Sequence, residues 1–308
     1  MLREHQQGGR EVENRQINIE LHHQEIPNWE YDLQDKSNEP VMTEMEEVMM
    51  ETIILEDFPG GRIIKLNRPR GLNALNKRMA DEMQDAVDAA KNDHSVRCLV
   101  FIGATNCFCA GADIKELTDV KSSQDAKNFS GRYQTLFKNI MTFPKPTIAA
   151  VNRFALGGGF ELAISCDIII AAKNTKFGVP EINLGALPAG GGTVRLPALV
   201  GDKVAKQMLF FGEPMETEKM FELGVVNMIV DEEELLPRAV ALGERLGAQS
   251  IEAIIEIKKL LRRVDQFNVA EAMSAENETF AMLWAGGDLR EGVSSFIEKR
   301  KPVFNRHI

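Results

Sequence analysis

The spacing of apolar residues predicts that strands and helices alternate between residue 52 and about residue 200. Residues 52–56 and 63–66 flank the stretch F-P-G-G-R, which predicts a β-hairpin with Gly60 and Gly61 in its turn. Short apolar runs predict strands at 98–102, 147–151 and 167–172. Helical spacing predicts helices at 77–92, 123–142 and 159–166. The alternation predicts a layered α/β core with βαβ crossovers.

Beyond about residue 200 the helical spacing dominates. One strand is predicted at 225–230, and helices are predicted at 202–211, 216–223, 232–247, 249–265, 268–283 and 289–299. The last sixty residues are therefore expected to be all-helical, and a partner subunit is a suitable cover for their apolar faces. We accordingly predict a core domain over 51–247 and a C-terminal helical oligomerisation region over 248–308.

The first fifty residues are expected to be a disordered acidic extension. They are rich in Glu, Gln and Asn and show no sustained period of 2 or 3.6. A mitochondrial transit peptide is Arg-rich and poor in acidic residues, so this segment does not match one.

Charge and composition exclude several classes of protein. The net charge is −10, of which residues 1–50 contribute −8 (twelve acidic and four basic residues), leaving −2 for the rest. That balance does not favour a nucleic-acid partner, and no apolar run approaches the roughly 18 residues of a membrane span. The four cysteines form no CxxC motif and no Cys/His pair at metal-ligand spacing. We therefore expect reduced thiols, no metal site and a cytoplasmic location.

Two triple-glycine runs stand out, A-L-G-G-G-F-E at 155–161 and A-G-G-G-T-V-R at 189–195. Neither matches a Walker A loop or the dinucleotide-binding pattern G-x-G-x-x-G. Two interpretations remain: close packing of a helix on a strand, or presentation of backbone N–H groups to a negatively charged oxygen.

Glu161 and Glu181 are isolated acidic residues in apolar surroundings. Each could serve the positive end of a helix dipole. Alternatively, the two carboxylates converge on one pocket as general acid–base groups. A separation of twenty residues does not decide between these interpretations.

Several longer motifs together resemble the enoyl-CoA hydratase/isomerase (crotonase) family. They are L-N-R-P-R-G-L-N-A-L-N at 66–76, F-C-A-G-A-D-I-K-E-L at 108–117, A-L-G-G-G-F-E-L-A-I-S-C-D at 155–167, F-G-V-P-E-I-N-L-G-A-L-P-A-G-G-G-T-V-R-L at 177–196 and R-E-G-V-S-S-F-I-E-K-R-K-P-V-F at 290–304. The resemblance runs from about residue 51 to 305. It implies a layered spiral of ββα units with a C-terminal helical oligomerisation domain, assembled as a homo-trimer or homo-hexamer.

The resemblance also implies roles for individual residues. In hydratases of this family two backbone N–H groups hold the thioester oxygen, and they match Ala112 and Gly158. The two glutamates of the hydratase subgroup match Glu161 and Glu181. Substrate and coenzyme A contacts are implied at Arg70, Ala112, Asp113, Ile114, Lys115 and Gly158. Without the resemblance, Arg70 and Lys115 read as ordinary surface charges.

The implied activity is hydration of a 2-enoyl-CoA to a 3-hydroxyacyl-CoA, because many relatives with isomerase, dehalogenase or hydrolase chemistry lack one or both glutamates. It needs no cofactor and no metal, since coenzyme A is part of the substrate. Two alternatives remain: an enoyl-CoA delta-isomerase of the same family, and a non-catalytic binding or scaffold protein with this fold.

Three residues depart from the family pattern. Arg153 replaces a glycine, and if that glycine has a positive φ the arginine is strained by about 1–2 kcal/mol. Ala189 replaces a glycine beside the position that helps to hold the water. Phe160 replaces a commonly smaller neighbour of Glu161. Arg153 either disturbs the oxyanion donor or points into solvent. None of the three departures removes a reacting group, but each could change substrate preference or rate.

Overall fold

The computed structural model describes residues 47–104, 107–262 and 268–305, which belong to one compact unit, Glu39–Ile308. The acidic extension predicted over 1–50 lies almost wholly outside the described residues. Its last residues, Glu47–Met49, form a strand paired with the next strand along the chain. The predicted domain boundaries stay predictions.

Seven strands of the described chain form a main sheet in the order β1-β2-β3-β4-β5-β7-β10, and three form a small sheet in the order β6-β8-β9. Pairing is antiparallel from β1 to β3 and parallel from β3 to β10. The strands are β1 (Glu47–Met49), β2 (Ile53–Phe58), β3 (Gly61–Leu66), β4 (Leu99–Gly103), β5 (Thr147–Val151), β6 (Phe154–Leu156), β7 (Ile168–Ala172), β8 (Lys176–Gly178), β9 (Met215–Glu216) and β10 (Met228–Val230).

Eleven α-helices of the described chain pack around these sheets or extend from them. They are α1 (Lys77–Asn92), α2 (Ile114–Leu117), α3 (Ser123–Met141), α4 (Gly158–Ala163), α5 (Gly192–Val200), α6 (Asp202–Phe211), α7 (Thr217–Glu222), α8 (Leu235–Gly247), α9 (Ile251–Leu261), α10 (Val269–Gly286) and α11 (Asp288–Ile297). Short 3-10 turns lie at Pro69–Gly71, Pro180–Leu184 and Glu232–Glu234. No helix in the described ranges is both long and apolar enough to cross a bilayer.

The central strands are apolar on both faces because helices cover both sides of the sheet. In β4, Leu99 and Phe101 belong to one core cluster, while Val100 and Ile102 belong to the other. The first cluster packs under α1, α3 and α4, and the second packs under α8. Continuous apolar strands are typical of parallel sheets buried on both faces, so the layered α/β prediction is confirmed.

The predicted elements are largely present, but several differ in their bounds, and helix α5 was not predicted. Phe58 pairs with Gly61, so the hairpin turn lies at Pro59 and Gly60, one residue earlier than predicted. The helix predicted over 159–166 is the shorter α4, and the strand predicted over 225–230 is the shorter β10. The small sheet was not predicted, because strands of two or three residues are too short to show a period.

Arg153 has a positive φ, as the departure from the family glycine led us to suspect. Its φ is 55°, and the N–H of Phe154 donates to the carbonyl oxygen of Asn152 across it at 2.6 Å, which closes a γ-turn. The Arg153 side chain is exposed. The strain therefore arises from its Cβ, not from its charged group.

We expect Arg153→Gly to raise the free energy of unfolding by about 1 kcal/mol, because glycine adopts a positive φ without a steric penalty. Urea unfolding of both proteins measures the difference. Arg153→Ala removes the charge and keeps the Cβ, so it should give no comparable gain. Equal stabilisation by both substitutions would show that the charge of Arg153, not its backbone conformation, destabilises the wild-type protein.

Candidate active site

Two chain segments approach closely enough to bring two backbone amides together. Residues 109–112 run beside β6 and the start of α4, with a bridge between Cys109 and Ala155. Gly111 has a φ of 107°, and a Cβ built on it would lie 2.9 Å from the carbonyl oxygen of Leu156. A Cβ on Gly158 would lie 3.5 Å from the backbone nitrogen of Ala112. The glycines permit this approach.

The amides of Ala112 and Gly158 are both available for a ligand. Within the described chain, neither N–H donates to a protein acceptor, although their neighbours do: Asp113 N–H donates to Leu75 at 2.8 Å and Gly157 N–H to Gly178 at 2.8 Å. Both residues line one cavity of about 810 Å³. Buried N–H groups are nearly always paired, so two free amides on one cavity are a candidate anion-binding pair.

Glu161 is held on the same cavity by the second glycine run. It lies on α4, is 4% exposed, and its Oε1 accepts a hydrogen bond from the N–H of Gly192 at 2.7 Å. A Cβ on Gly190 would lie 2.6 Å from Oε2 of Glu161. Residues 190–192 therefore present N–H groups to a carboxylate, which is one of the two interpretations that the sequence left open.

The first glycine run shows the other interpretation. A Cβ on Gly159 would lie 2.8 Å from Cβ of Cys109, so Gly159 allows α4 to pack directly on the neighbouring segment. Close packing and presentation of N–H groups thus occur together, at different glycines of the two runs.

Burial raises the pKa of Glu161. Hydrogen bonds from the backbone N–H groups of Gly192, Gly190 and Gly191, together with the positive charge of Arg195, oppose that rise. The pKa of Glu161 stays above its ordinary value, so the fixed donors offset only part of the cost of removing this carboxylate from water.

Glu181 lies in a different environment on the same cavity. It is the second residue of the turn Pro180–Leu184, and a Cβ on Gly157 would lie 2.7 Å from its Oε1. Its Oε2 is buried without a hydrogen-bond partner among the described residues. Burial raises the pKa of Glu181 to about 7. A hydrogen bond from its own backbone N–H opposes that rise, and the negative charge of Glu161 adds to it. This carboxyl group can hold a proton near neutral pH.

The two glutamates therefore converge, as spacing alone could not show. Both line the cavity, and the charge of one raises the pKa of the other. Their environments differ, because Glu161 accepts backbone hydrogen bonds from the glycine run whereas Glu181 has one oxygen without a donor. Such a difference separates the proton affinities of two neighbouring carboxyl groups.

The rest of the cavity is mainly apolar. One wall is a face of α3, formed by Ala126, Phe129 and Tyr133, with the Tyr133 hydroxyl donating to the carbonyl oxygen of Leu75 at 2.8 Å. Leu184 and Leu187 line it as well. A volume of about 810 Å³ is within the usual range for small-molecule sites.

The other expected contact residues are placed less uniformly. Ile114 is 58% exposed and lines the cavity. Asp113 instead caps α2 and pairs with Arg68 at 2.9 Å. Burial tends to raise the pKa of Asp113, but the hydrogen bonds from Arg68 and the Lys115 N–H leave it lowered. Arg70 and Lys115 are exposed, and the cavity wall formed by described residues includes neither.

The departures at Phe160 and Ala189 differ in their positions. Phe160 is fully buried, packs edge-to-face on Phe177 with ring centroids 5.5 Å apart, and is absent from the described cavity lining. The Phe160 side chain therefore does not line the described cavity, and an effect of this departure on substrate preference or rate stays a prediction. Ala189 does line the cavity, and its carbonyl oxygen accepts from the Gln134 side chain at 2.7 Å.

Sequence reasoning missed the residues that hold the two glutamates. Gly157 makes room for Glu181, residues 190–192 bind Glu161, and Arg195 adds a positive charge. The visible signal was the second glycine run followed by a lone arginine. Its target could not be read from the sequence, because 31 residues separate Gly192 from Glu161.

Known proteins resemble this chain over most of its length. The family model described as enoyl-CoA hydratase/isomerase matches residues 62–307. The chain belongs to the enoyl-CoA hydratase/isomerase family. It is 42% identical to the crotonyl-CoA hydratase of Syntrophomonas wolfei, over 82% of this chain and 98% of that protein. It is 36% identical to the short-chain-enoyl-CoA hydratase of Clostridium acetobutylicum, over 82% and 97% respectively.

Solved structures of the family share the fold. An enoyl-CoA hydratase from Bacillus anthracis superposes with a TM-score of 0.79 at 29% identity, covering 82% of this chain and 99% of that one. The crotonase-like fold predicted from the motifs is therefore confirmed.

We expect Glu181 to reduce stability as the pH rises. Its pKa of about 7 lies above the ordinary 4.5, so the folded protein keeps a proton that the unfolded chain has lost. Stability is therefore full below about pH 4.5 and declines until the pH passes about 7. Glu181→Gln should raise the free energy of unfolding by roughly 2 kcal/mol at pH 8 and by much less at pH 5.

Urea unfolding at the two pH values measures this difference. The exposed Glu213 provides a control, since Glu213→Gln removes a similar charge from a solvated position. An equal effect of Glu181→Gln at both pH values would contradict the raised pKa.

Proposed function

We propose that this protein is an enoyl-CoA hydratase, a hydro-lyase that adds water to a 2-enoyl-CoA thioester and gives a 3-hydroxyacyl-CoA. One observation carries the proposal: two free backbone amides and two electrostatically coupled glutamates line the same largely apolar cavity. The names of the relatives from Syntrophomonas wolfei and Clostridium acetobutylicum support the same reaction.

The amides of Ala112 and Gly158 bind the thioester carbonyl oxygen. As water attacks C3, negative charge moves through the conjugated system onto this oxygen, and the two N–H groups stabilise it. Losing one such donor costs enzymes about 3–4 kcal/mol of transition-state stabilisation. The thioester itself is the electron sink, so the reaction needs no metal and no redox cofactor.

The two glutamates handle the protons. Glu161, supported as a carboxylate by residues 190–192, orients the water and takes its proton as the hydroxyl group bonds to C3. Glu181, whose pKa of about 7 lets it carry a proton near neutral pH, protonates C2. The proton lost by the water restores the one given by Glu181, so one water is added and both carboxyl groups return to their starting states.

The apolar wall of α3 and the side chains of Leu184 and Leu187 suit an acyl chain. The exposed Arg70 and Lys115 suit the phosphates of coenzyme A. Asp113 caps α2, the helix that carries Lys115. The four cysteines are unpaired, which supports a reducing, cytoplasmic location.

Glu161→Gln and Glu181→Gln should each reduce kcat for crotonyl-CoA hydration by at least about 100-fold, because general acid–base groups contribute about 10²–10⁴-fold. Loss of the enoyl absorbance follows the reaction, and circular dichroism checks the fold. Glu213→Gln should retain the wild-type rate.

Near-wild-type turnover in either site variant would overturn the assigned roles. A second assay supplies a 3-enoyl-CoA. Conversion to the conjugated 2-enoyl-CoA without net hydration would identify an isomerase and contradict the proposed reaction.

The C-terminal region supports assembly as a homo-trimer or homo-hexamer. Its helices expose several large apolar side chains, and Phe280, Phe296 and Phe304 line a groove of about 520 Å³. Phe280 is 60% exposed and Phe296 is 78% exposed. Exposed aromatic side chains that share a groove are typical of subunit contacts.

We expect light scattering to give a mass of three or six times the 34.4 kDa chain. Phe280→Glu combined with Phe296→Glu should produce smaller species, because each carboxylate would be desolvated in the contact. Met49→Glu, on the exposed strand β1, is a matched control that should leave the mass unchanged. A monomeric wild-type protein would contradict the assembly.

A further inference from the structure

We propose that Arg195 is a positioning residue for the reaction, which fixes the helix that carries Glu161 and supplies a buried positive charge to its carboxylate. This inference rests on the proposed hydratase function. It assigns a role to the arginine that follows the second glycine run.

Arg195 is hydrogen-bonded to the end of α4. Its Nη1 donates to the Ser165 hydroxyl at 3.0 Å, and that hydroxyl donates in turn to the backbone carbonyl oxygen of Glu161 at 2.7 Å. Its Nη2 donates to the carbonyl oxygen of Ile164. Arg195 thus binds the Ile164 carbonyl group directly and the Glu161 carbonyl group through Ser165, at the end of the helix where carbonyl groups lack partners within it.

Helix α5, which carries Arg195, also contacts the side chain of Glu161. Arg195 lies on α5, whose first residue, Gly192, donates its N–H to Glu161 Oε1 at 2.7 Å. One end of α5 therefore binds the carboxylate, and a side chain one turn later binds the backbone of the same glutamate through Ser165. Loss of Arg195 would release the second of these contacts and allow α4 to shift relative to α5.

The charge of Arg195 is not neutralised by a direct ion pair. No carboxylate of the described chain lies within ion-pair distance of it, and the groups that act on its charge are Cys166, Glu161 and Asp167. Burial raises the pKa of the Cys166 thiol well above its usual range, so this thiol carries no negative charge at neutral pH. Asp167 is already paired with Lys258 at 2.5 Å and accepts from Thr147. Glu161 is the remaining carboxylate that the guanidinium can stabilise.

The buried position of Arg195 strengthens the interaction of its charge with Glu161, and the guanidinium remains charged. Arg195 is largely removed from solvent, and charges are only weakly screened in such a buried position. Burial lowers its pKa, but an arginine side chain stays protonated in proteins. The positive charge of Arg195, on α5, opposes the rise in the pKa of Glu161. The charge of Glu161 raises the pKa of Glu181, on the turn Pro180–Leu184. Because a Coulomb interaction is mutual, a negative charge on Glu181 would raise the pKa of Glu161, in the direction opposite to Arg195.

The test compares Arg195→Gln, Arg195→Lys and wild type in the pH dependence of kcat/KM for crotonyl-CoA. Glutamine removes the charge, so the acid limb of the kcat/KM profile should move to higher pH by about one unit. At a given pH on that limb, kcat/KM should therefore fall about tenfold. Lysine keeps the charge, so its limb should stay at the wild-type pH while kcat falls through lost positioning. KM should change little in both variants.

Arg262→Gln is the matched control. Arg262 lines the same cavity of about 490 Å³ as Arg195 and carries the same charge, but it does not hydrogen-bond to α4 in the described structure. Its profile should match wild type. An acid limb that stays in place in Arg195→Gln, or moves equally in Arg262→Gln, would overturn the proposal.

A titration that does not depend on turnover separates this inference from the proposed function. In a Glu181→Gln background, carboxyl ¹³C NMR follows the pKa of Glu161, whose signal is identified by its loss in Glu161→Gln. Arg195→Gln should raise that pKa even if the wild-type protein hydrates no enoyl-CoA. An unchanged pKa would overturn the role of Arg195, whereas absent hydration by wild type would overturn the function alone. Should Arg195→Gln not fold, Arg195→Met is titrated in its place.

Discussion

The site depends on backbone atoms approaching one another, and approaching carboxylates, more closely than a Cβ allows. A Cβ would lie 2.9 Å from a carbonyl oxygen at Gly111, 2.7 Å from Glu181 at Gly157 and 2.6 Å from Glu161 at Gly190. Each glycine gives up conformational entropy of about 0.5–1 kcal/mol relative to alanine. That cost places two free amides and two carboxyl groups on one cavity with fixed geometry. Preorganised donors of this kind need no rearrangement during the reaction.

Much of the fold and part of the site followed from the sequence. Helix α1 and strand β5 match their predicted bounds because long helical spacing and a continuous apolar run are strong local signals. The pairing of residues 190–192 with Glu161 was not predictable from spacing, since it is a tertiary contact. Phe160 neighbours Glu161 in sequence but packs in the core away from the cavity, because successive helical residues point in different directions.

Arg153 shows that the fold tolerates strain beside the site. Its positive φ closes the γ-turn that leads into β6, and β6 leads directly to Gly157 and Gly158. The amide of Gly158 nevertheless remains on the cavity, because the bridge between Cys109 and Ala155 and the pairing of β6 with β8 fix the segment downstream. The strain is thus confined to the turn, while the small sheet determines where the amide lies.

The division of labour between the glutamates follows from their surroundings, not from their side chains. Glu161 is buried and Glu181 is partly buried on one cavity, and two adjacent negative charges there would repel each other with little screening. Residues 190–192 and Arg195 favour the charge on Glu161, while Glu181 has an oxygen without a donor and a pKa of about 7. The arrangement with one proton on Glu181 and a charge on Glu161 is therefore favoured near neutral pH. Addition of water needs that arrangement, with a base facing the water and an acid facing C2.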